Sequence, residues 1–385
     1  MRNTFLCTTA LVLASGVSAS AMDMGGKDVE AGSLSLGVGG YFEVLAGFAN
    51  VGGVTTAGQD LDGLDFKQDV EIHFSPTMTL DNGLTIGAHV ELEGSSGTAD
   101  TIDEAYMTIS GNFGKFILGS ENSVGYKMTV AAPDVTHINV NSGSTTAFVP
   151  FSGTAGTAGA SVGSDVFRGT LGTTYLENVR NNDAQRISYF SPDFSGFSFG
   201  VSYAHDGNQD SNGAIDCNAT TCDFIDLAAA YSGSLGGGAD IALSARWGTA
   251  SAPAGTPDPE VWGVGANLSF NGITIGGSFA EQKDGGAMAG ESYDFGVAYA
   301  NGPWSYSLTF FHGESLDNEN FVANPIAEEE LEQILLGATY RFNSNFAIGG
   351  YIADVDFDEQ VSDGNVGTGD DVDGTVVGLS FRLDF

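Results

Sequence analysis

Thr375–Phe385 reads TVVGLSFRLDF. Val377, Leu379, Phe381, Leu383 and Phe385 are apolar, and Gly378, Ser380, Arg382 and Asp384 between them are small or polar. A period of two marks a β-strand whose faces meet different environments. A tilted strand needs about 9–11 residues to cross a bilayer, against about 5–6 for the usual soluble strand. This segment has the longer length.

The pattern recurs outward from it. Trp304, Tyr306, Leu308 and Phe310 alternate with Ser305, Ser307 and Thr309; Val70, Ile72 and Phe74 alternate with Asp69, Glu71 and His73. Phe197, Phe199, Val201 and Tyr203 hold alternate positions too. Sixteen such segments are predicted, at 33–49, 66–80, 84–94, 102–110, 115–120, 185–191, 197–205, 223–233, 240–249, 260–270, 273–282, 291–300, 304–313, 331–342, 346–357 and 373–385. Turn signals such as Asp81-Asn82-Gly83, Asn271-Gly272 and Asn301-Gly302-Pro303 join them at one end. Longer polar connections join them at the other: 50–65, 95–101, 121–184, 206–222, 250–259, 283–290, 314–330 and 358–372. Short turns below and long loops above are the layout of an outer-membrane barrel. A soluble sandwich has no reason to sort its connections this way, and its outward face should be polar. The expected fold is therefore all-β, a transmembrane antiparallel β-barrel of sixteen strands around a wet lumen.

Composition agrees. The chain has 385 residues, with 49 Asp+Glu against 12 Lys+Arg and a formal net charge of -37. That excludes a nucleic-acid partner bound through a basic surface. The 26 Phe and 12 Tyr argue against disorder. Beyond the N-terminus no apolar run is long enough for a helical span. Residues 1–21, MRNTFLCTTALVLASGVSASA, have a cationic start, an apolar stretch and a small-x-small end, and read as a cleaved signal peptide. The barrel domain would then be 22–385. Cys217 and Cys222 in CNATTC are expected to form a local disulfide in an oxidising compartment.

Three stretches carry a family likeness: Asp103–Ser123 (DEAYMTISGNFGKFILGSENS), Arg186–Tyr203 (RISYFSPDFSGFSFGVSY) and the terminal GLSFRLDF. The chain resembles the Gram-negative general porins, most of all the alphaproteobacterial type. The resemblance implies a homotrimeric diffusion pore among outer-membrane lipid and lipopolysaccharide. It also implies that Phe385 is read by the barrel assembly machinery, and that the third loop folds inward to constrict the lumen. The longest connection, 121–184, falls between the fifth and sixth strands, where that loop belongs. Small hydrophilic solutes and ions would cross passively, with no enzyme chemistry and no required cofactor.

Charge placement suggests the pore lining. Lys67, Arg186, Arg246, Arg341 and Arg382 fall on the non-apolar face, and an Arg facing lipid at midplane would cost about 2–4 kcal/mol. Glu43, Glu71, Glu91 and Asp226 share that face, while Glu121 and Asp134 lie in the long loop. Loop carboxylates facing wall cations would set a transverse field, and the net charge favours cations. Asp354, Asp356, Asp358, Glu359, Asp370, Asp371 and Asp373 are expected in outer loops that could hold Ca²⁺ or Mg²⁺. Asn208, Asp210 and Asn212 resemble the start of a calcium loop, although Ala219 replaces its last acid.

Other chemistry is weakly supported. Gly159–Gly163 matches G-x-S-x-G but lies in a Gly/Ala/Ser/Thr-rich loop rather than a strand-to-helix turn. The histidines lack the H-E-x-x-H spacing, and His73 and His89 read as lumen residues. A substrate-selective channel, the first alternative, would show an aromatic track along the lumen, yet the inward faces carry few aromatics besides Tyr41 and Phe190. Trp247, Trp262 and Trp304 suit interfacial girdles. An adhesin or receptor on a barrel is the other rival reading, but its loops should outweigh its strands.

Overall fold

The ladder that closes the sheet joins the first strand to the last. A computed structural model describes residues 33–53, 61–94, 102–142, 144–149, 168–209, 213–284, 289–316, 328–359 and 372–385. Within them sixteen strands follow in order: β1 Ser35–Gly53, β2 Gly63–Thr79, β3 Thr85–Glu93, β4 Ile102–Gly111, β5 Gly114–Ser120, β6 Ala184–Phe190, β7 Phe197–Gln209 and β8 Cys222–Gly236. The rest are β9 Ala239–Ser251, β10 Glu260–Phe270, β11 Ile273–Lys283, β12 Gly290–Asn301, β13 Trp304–Leu316, β14 Glu328–Arg341, β15 Phe346–Glu359 and β16 Val372–Asp384. Each pairs antiparallel with its sequence neighbour, and β1 with β16, so the barrel is closed. Gly40 and Phe385 exchange both backbone hydrogen bonds, each 3.0 Å, so the C-terminal residue itself helps seal the seam. Closure removes the unpaired edges that no bilayer could solvate.

Local chemistry sets the tight ends. At Asn271-Gly272 both residues have positive φ, 50° and 82°, the geometry that a two-residue hairpin turn needs and that Asn-Gly supplies at least cost. Asn82 Oδ1 accepts the Leu84 N–H at 3.1 Å and holds the β2–β3 turn. Aromatic rings gather near these turns: Trp304 and Tyr340 at 4.8 Å, Tyr340 and Phe342 at 4.8 Å, Phe197 and Tyr231 at 4.5 Å. Amphipathic rings there suit a membrane–water interface.

The alternation holds along β16: Val377, Leu379, Phe381 and Leu383 are exposed on the outer face, while Val376 and Ser380 are buried inside. The inner face is less uniform than the sequence suggests. Leu45, Phe311, Leu331, Leu335, Val355, Phe357, Val372 and Val376 all point inward and form one buried cluster with Ile138, Val140, Phe148, Val149 and Leu171 of the long β5–β6 connection. That sector is dry because chain rather than water covers it. Phe311, Phe357, Tyr351 and Phe224 are therefore inward aromatics additional to Tyr41 and Phe190, buried in packing rather than lining a track.

Asp354, Asp356 and Asp358 are not loop residues. They lie in β15, exposed on its outer face, because Val355 and Phe357 alternate with them on the inside and carry the ladder past the apolar band. The signal-peptide reading, Gly159–Gly163, Asp210, Asn212, Asp370 and Asp371 lie outside the described residues. Asn208 is in β7.

Candidate functional site

The β5–β6 connection begins with a one-turn helix, α1 Val124–Lys127, capped where Ser123 Oγ accepts the Tyr126 N–H at 3.2 Å. From there the chain follows the inner wall. Its backbone N–H groups donate to wall side chains: Val124 to Ser202 Oγ at 3.3 Å, Val130 to Ser244 Oγ at 2.8 Å, Ala132 to Asp294 Oδ1 at 3.0 Å and Val135 to Ser307 Oγ at 3.1 Å. Asn267 Nδ2 and Thr339 Oγ1 donate back to the carbonyls of Ala131 and Val135 at 3.0 and 2.7 Å. A loop with no ladder of its own has to satisfy its backbone somewhere, and here the polar half of each strand does so. Close approach needs small residues on the wall. A Cβ at Gly265 would strike the Val130 carbonyl, and one at Gly337 would strike the Thr136 side chain.

The return limb is tied to the same wall. Val179 N–H donates to Gln282 Oε1 at 3.1 Å, and Ser292 Oγ to the Thr173 carbonyl at 2.9 Å. The two limbs also join each other, through Ser123 N–H to Glu177 Oε1 at 2.7 Å and Thr174 N–H to Asn141 Oδ1 at 2.9 Å. Arg168 stacks its guanidinium 4.0 Å from the Tyr126 ring centre.

The charged residues singled out from sequence are arranged as follows. Arg246 is buried, pairs with Asp226 at 2.7 Å and donates to the Leu176 carbonyl. Arg186 is buried and donates to the Asn181 carbonyl. Both therefore clamp the return limb. Arg382 meets Glu43 at 3.2 Å, its cross-strand partner in the β1–β16 ladder, and Asp384 at 2.9 Å. Its guanidinium lies 3.9 Å from the centre of the Tyr41 ring. Lys67 lies 5.6 Å from the centre of the Phe148 ring and pairs with Asp65. Arg341 is exposed at the short-turn end of β14.

The loop carboxylates are engaged within the loop or by hydroxyls. Glu121 is fully buried and pairs with Lys127 of the same loop at 2.6 Å. Burial pushes its carboxyl up, but the Lys127 charge and the surrounding hydrogen bonds outweigh that and hold it below the usual range. Asp134 accepts from Thr136 at 2.8 Å and from Ser307 and Thr309 at 3.3 Å. Opposed loop carboxylates and wall cations, as the sequence suggested, are thus replaced in these contacts by separate local pairs. His137 approaches Glu43 to 3.4 Å. Burial, with the Arg382 and Arg341 charges, pushes its imidazole down to about 4, so at neutral pH this is the contact of a neutral ring and not an ion pair.

A different sector carries the accessible charge. On β2 the inner-face Asp69 is exposed, and Glu71 and Glu91 on β2 and β3 are half-buried. Tyr41 donates to Glu71 at 2.8 Å and lies 2.9 Å from Asp69. Asp103 and Glu104 add two more acids where β4 bulges against β3, and Asn122 donates to Glu104 at 2.8 Å. By contrast, inner-face Ser202, Asp226, Asp294, Ser307, Gln333 and Thr339 on β7–β14 are buried under the loop. Sequence reasoning named Glu43, Glu71 and Glu91 but not Asp69, Asp103 or Glu104. Asp69 was legible from its place in the alternation with Val70 and Ile72. Asp103 was hidden by the bulge, which breaks the period of two.

Cys217, in the β7–β8 connection, is bonded to Cys222, the first residue of β8, with S–S 2.07 Å.

Residues 7–381 match the Gram-negative porins. The chain belongs to that family. This porin is accordingly an outer-membrane diffusion channel rather than an enzyme. Its fold is similar to that of an anion-selective porin from Comamonas acidovorans, at 19% identity over 92% of this chain and 100% of that one, with a TM-score of 0.54. It is similar also to the outer membrane channel DcaP of Acinetobacter baumannii, at 13% identity over 94% and 99%, TM-score 0.58. A third similar structure is OmpT of Vibrio cholerae, at 13% identity over 94% and 99%, TM-score 0.55. Among curated proteins none matches this porin by sequence.

Proposed function

We propose that the protein is a homotrimeric passive pore for small hydrophilic solutes that prefers cations, with the β5–β6 segment narrowing its lumen. One observation supports the sign above all. The cations Arg186 and Arg246 are buried beneath the inner segment, while the wall still open to water, on β2 and β3, carries Asp69, Glu71 and Glu91. Lys67 and Arg382 share that sector but are paired with Asp65 and with Glu43 and Asp384, so acids outnumber cations where ions pass, and an excess of one sign concentrates its counter-ions. An anion-selective porin of similar fold shows that the barrel alone does not fix the sign. Outer acids such as Asp356 and Asp373, which face each other across β15 and β16, belong to the same reading as sites for Ca²⁺ or Mg²⁺ beside lipopolysaccharide.

Reversal potentials in planar bilayers under a KCl gradient test the proposal. The expected sign is that of a potassium-preferring channel, and Asp69→Asn/Glu71→Gln should move the potential toward zero. A chloride-preferring wild type would refute the assignment.

A further inference from the structure

Two imidazoles and two carboxylates converge on the inner face of β2 and β3. His73 stands opposite Glu91 in the ladder. Glu91 Oε1 lies 2.6 Å from His89 Nε2 and 3.8 Å from His73 Nε2. Glu71 Oε2 lies 2.8 Å from His73 Nε2. One donor atom from each of His73, His89 and Glu91 falls within 4.8 Å of the other two. The imidazoles are nine-tenths buried, each side chain 9% exposed, and His73 Nδ1 has no hydrogen-bond partner.

The surroundings orient these groups as ligands. Ser75 Oγ is 2.8 Å from His89 Nδ1. A proton on Nδ1, donated to that hydroxyl, leaves the Nε2 lone pair facing Glu91, which is the outer-shell arrangement that metal-binding histidines use. The Tyr41 ring flanks His73 at 6.4 Å and Tyr106 flanks His89 at 5.1 Å, holding both imidazoles in place. Gly39, opposite His73, leaves room beside it. Arg382, on β16 beyond β1, is already engaged by Glu43 and Asp384.

We propose that His73, His89 and Glu91 bind one divalent transition-metal ion (Zn²⁺, Cu²⁺ or Ni²⁺) on the wall of the pore, with water in the remaining position. Mixed imidazole and carboxylate ligands suit these ions, whereas Mg²⁺ and Ca²⁺ take oxygen ligands. Tetrahedral bonds of about 2.0–2.2 Å set the ligand atoms roughly 3.3–3.6 Å apart. The separations of Glu91 from His89 and His73, 2.6 and 3.8 Å, lie on either side of that range.

The test is calorimetric titration of the full mature protein in detergent micelles with ZnCl₂ under excess MgCl₂, paired with planar-bilayer currents. One saturable zinc site per chain is expected. His73→Ala/His89→Ala should abolish it, Glu91→Gln should weaken it while keeping side-chain shape, and Ser75→Ala should weaken it about 10–100-fold. Circular dichroism confirms that each variant keeps its barrel. Zinc should lower the single-channel conductance of the wild type and leave the double-His variant unchanged. The current measurement rests on the channel reading and the calorimetry does not, so stoichiometric zinc binding by a protein that passes no current would refute the pore and leave the site standing. No zinc site surviving magnesium, or equal affinity in the double-His variant, would overturn the proposal.

Discussion

Arg246 lies beneath the inner segment with Asp226 at 2.7 Å and the Leu176 carbonyl on its other side. Removing one member of a buried pair strands the other charge, whereas replacing both by apolar groups can be nearly neutral. Arg246→Met is therefore expected to destabilise the protein by about 3–5 kcal/mol. Arg246→Met/Asp226→Leu should cost much less. Guanidinium-unfolding midpoints in micelles measure both, and a single variant as mild as the double would mean that Asp226 is not left bare. The inward face of Arg246 was legible in the sequence, because Trp247 beside it must point the other way. Its partners were not. Leu176 is 70 residues distant, and alternation reports which side a residue takes, not what arrives to meet it. Glu43 and Arg382 are farther apart in sequence still, but strand closure alone aligns them.

At the level of the element, strands and inner segment obey different rules. Period-two alternation bounded by turn residues located all sixteen strands, and β10 runs over 260–270 as expected. The misses are overhangs: β7 continues to Gln209 and β14 starts at Glu328, because hydrogen-bonded ladders persist beyond the bilayer where side-chain polarity no longer alternates. The inner segment has no period to read. Its path is set by where the wall is low and where hydroxyls wait for its N–H groups, as at Gly265 and Ser244 beneath Val130. Gly265→Leu should lift that limb off the wall. The expected result is a barrel that still folds, by circular dichroism, but shows altered and noisier single-channel current. Wild-type current in this variant would show that the limb does not border the conducting path.

The whole molecule has two apolar surfaces separated by one sheet. Leu335 and Leu336 are neighbours in β14, yet Leu335 is 0% exposed inside and Leu336 is 50% exposed outside. Alternation predicted the outer surface, which lipid covers. It did not predict the inner one, because an apolar inward residue makes sense only once Ile138, Val140 and Phe148 lie over it. The two surfaces should fail differently. Leu335→Ala opens a cavity in the dry sector at a cost of about 2–5 kcal/mol, and should loosen the inner segment, seen as current noise with insertion intact. Leu336→Arg places a charge against lipid at about 2–4 kcal/mol near the midplane. It should lower the folded yield in vesicles while channels that do insert conduct normally. Folding yield and channel noise measured on the same pair of variants separate the two surfaces. If Leu335→Ala impaired insertion and Leu336→Arg disturbed the current, the faces would be reversed, and with them the lipid-facing and pore-facing sides of the entire barrel.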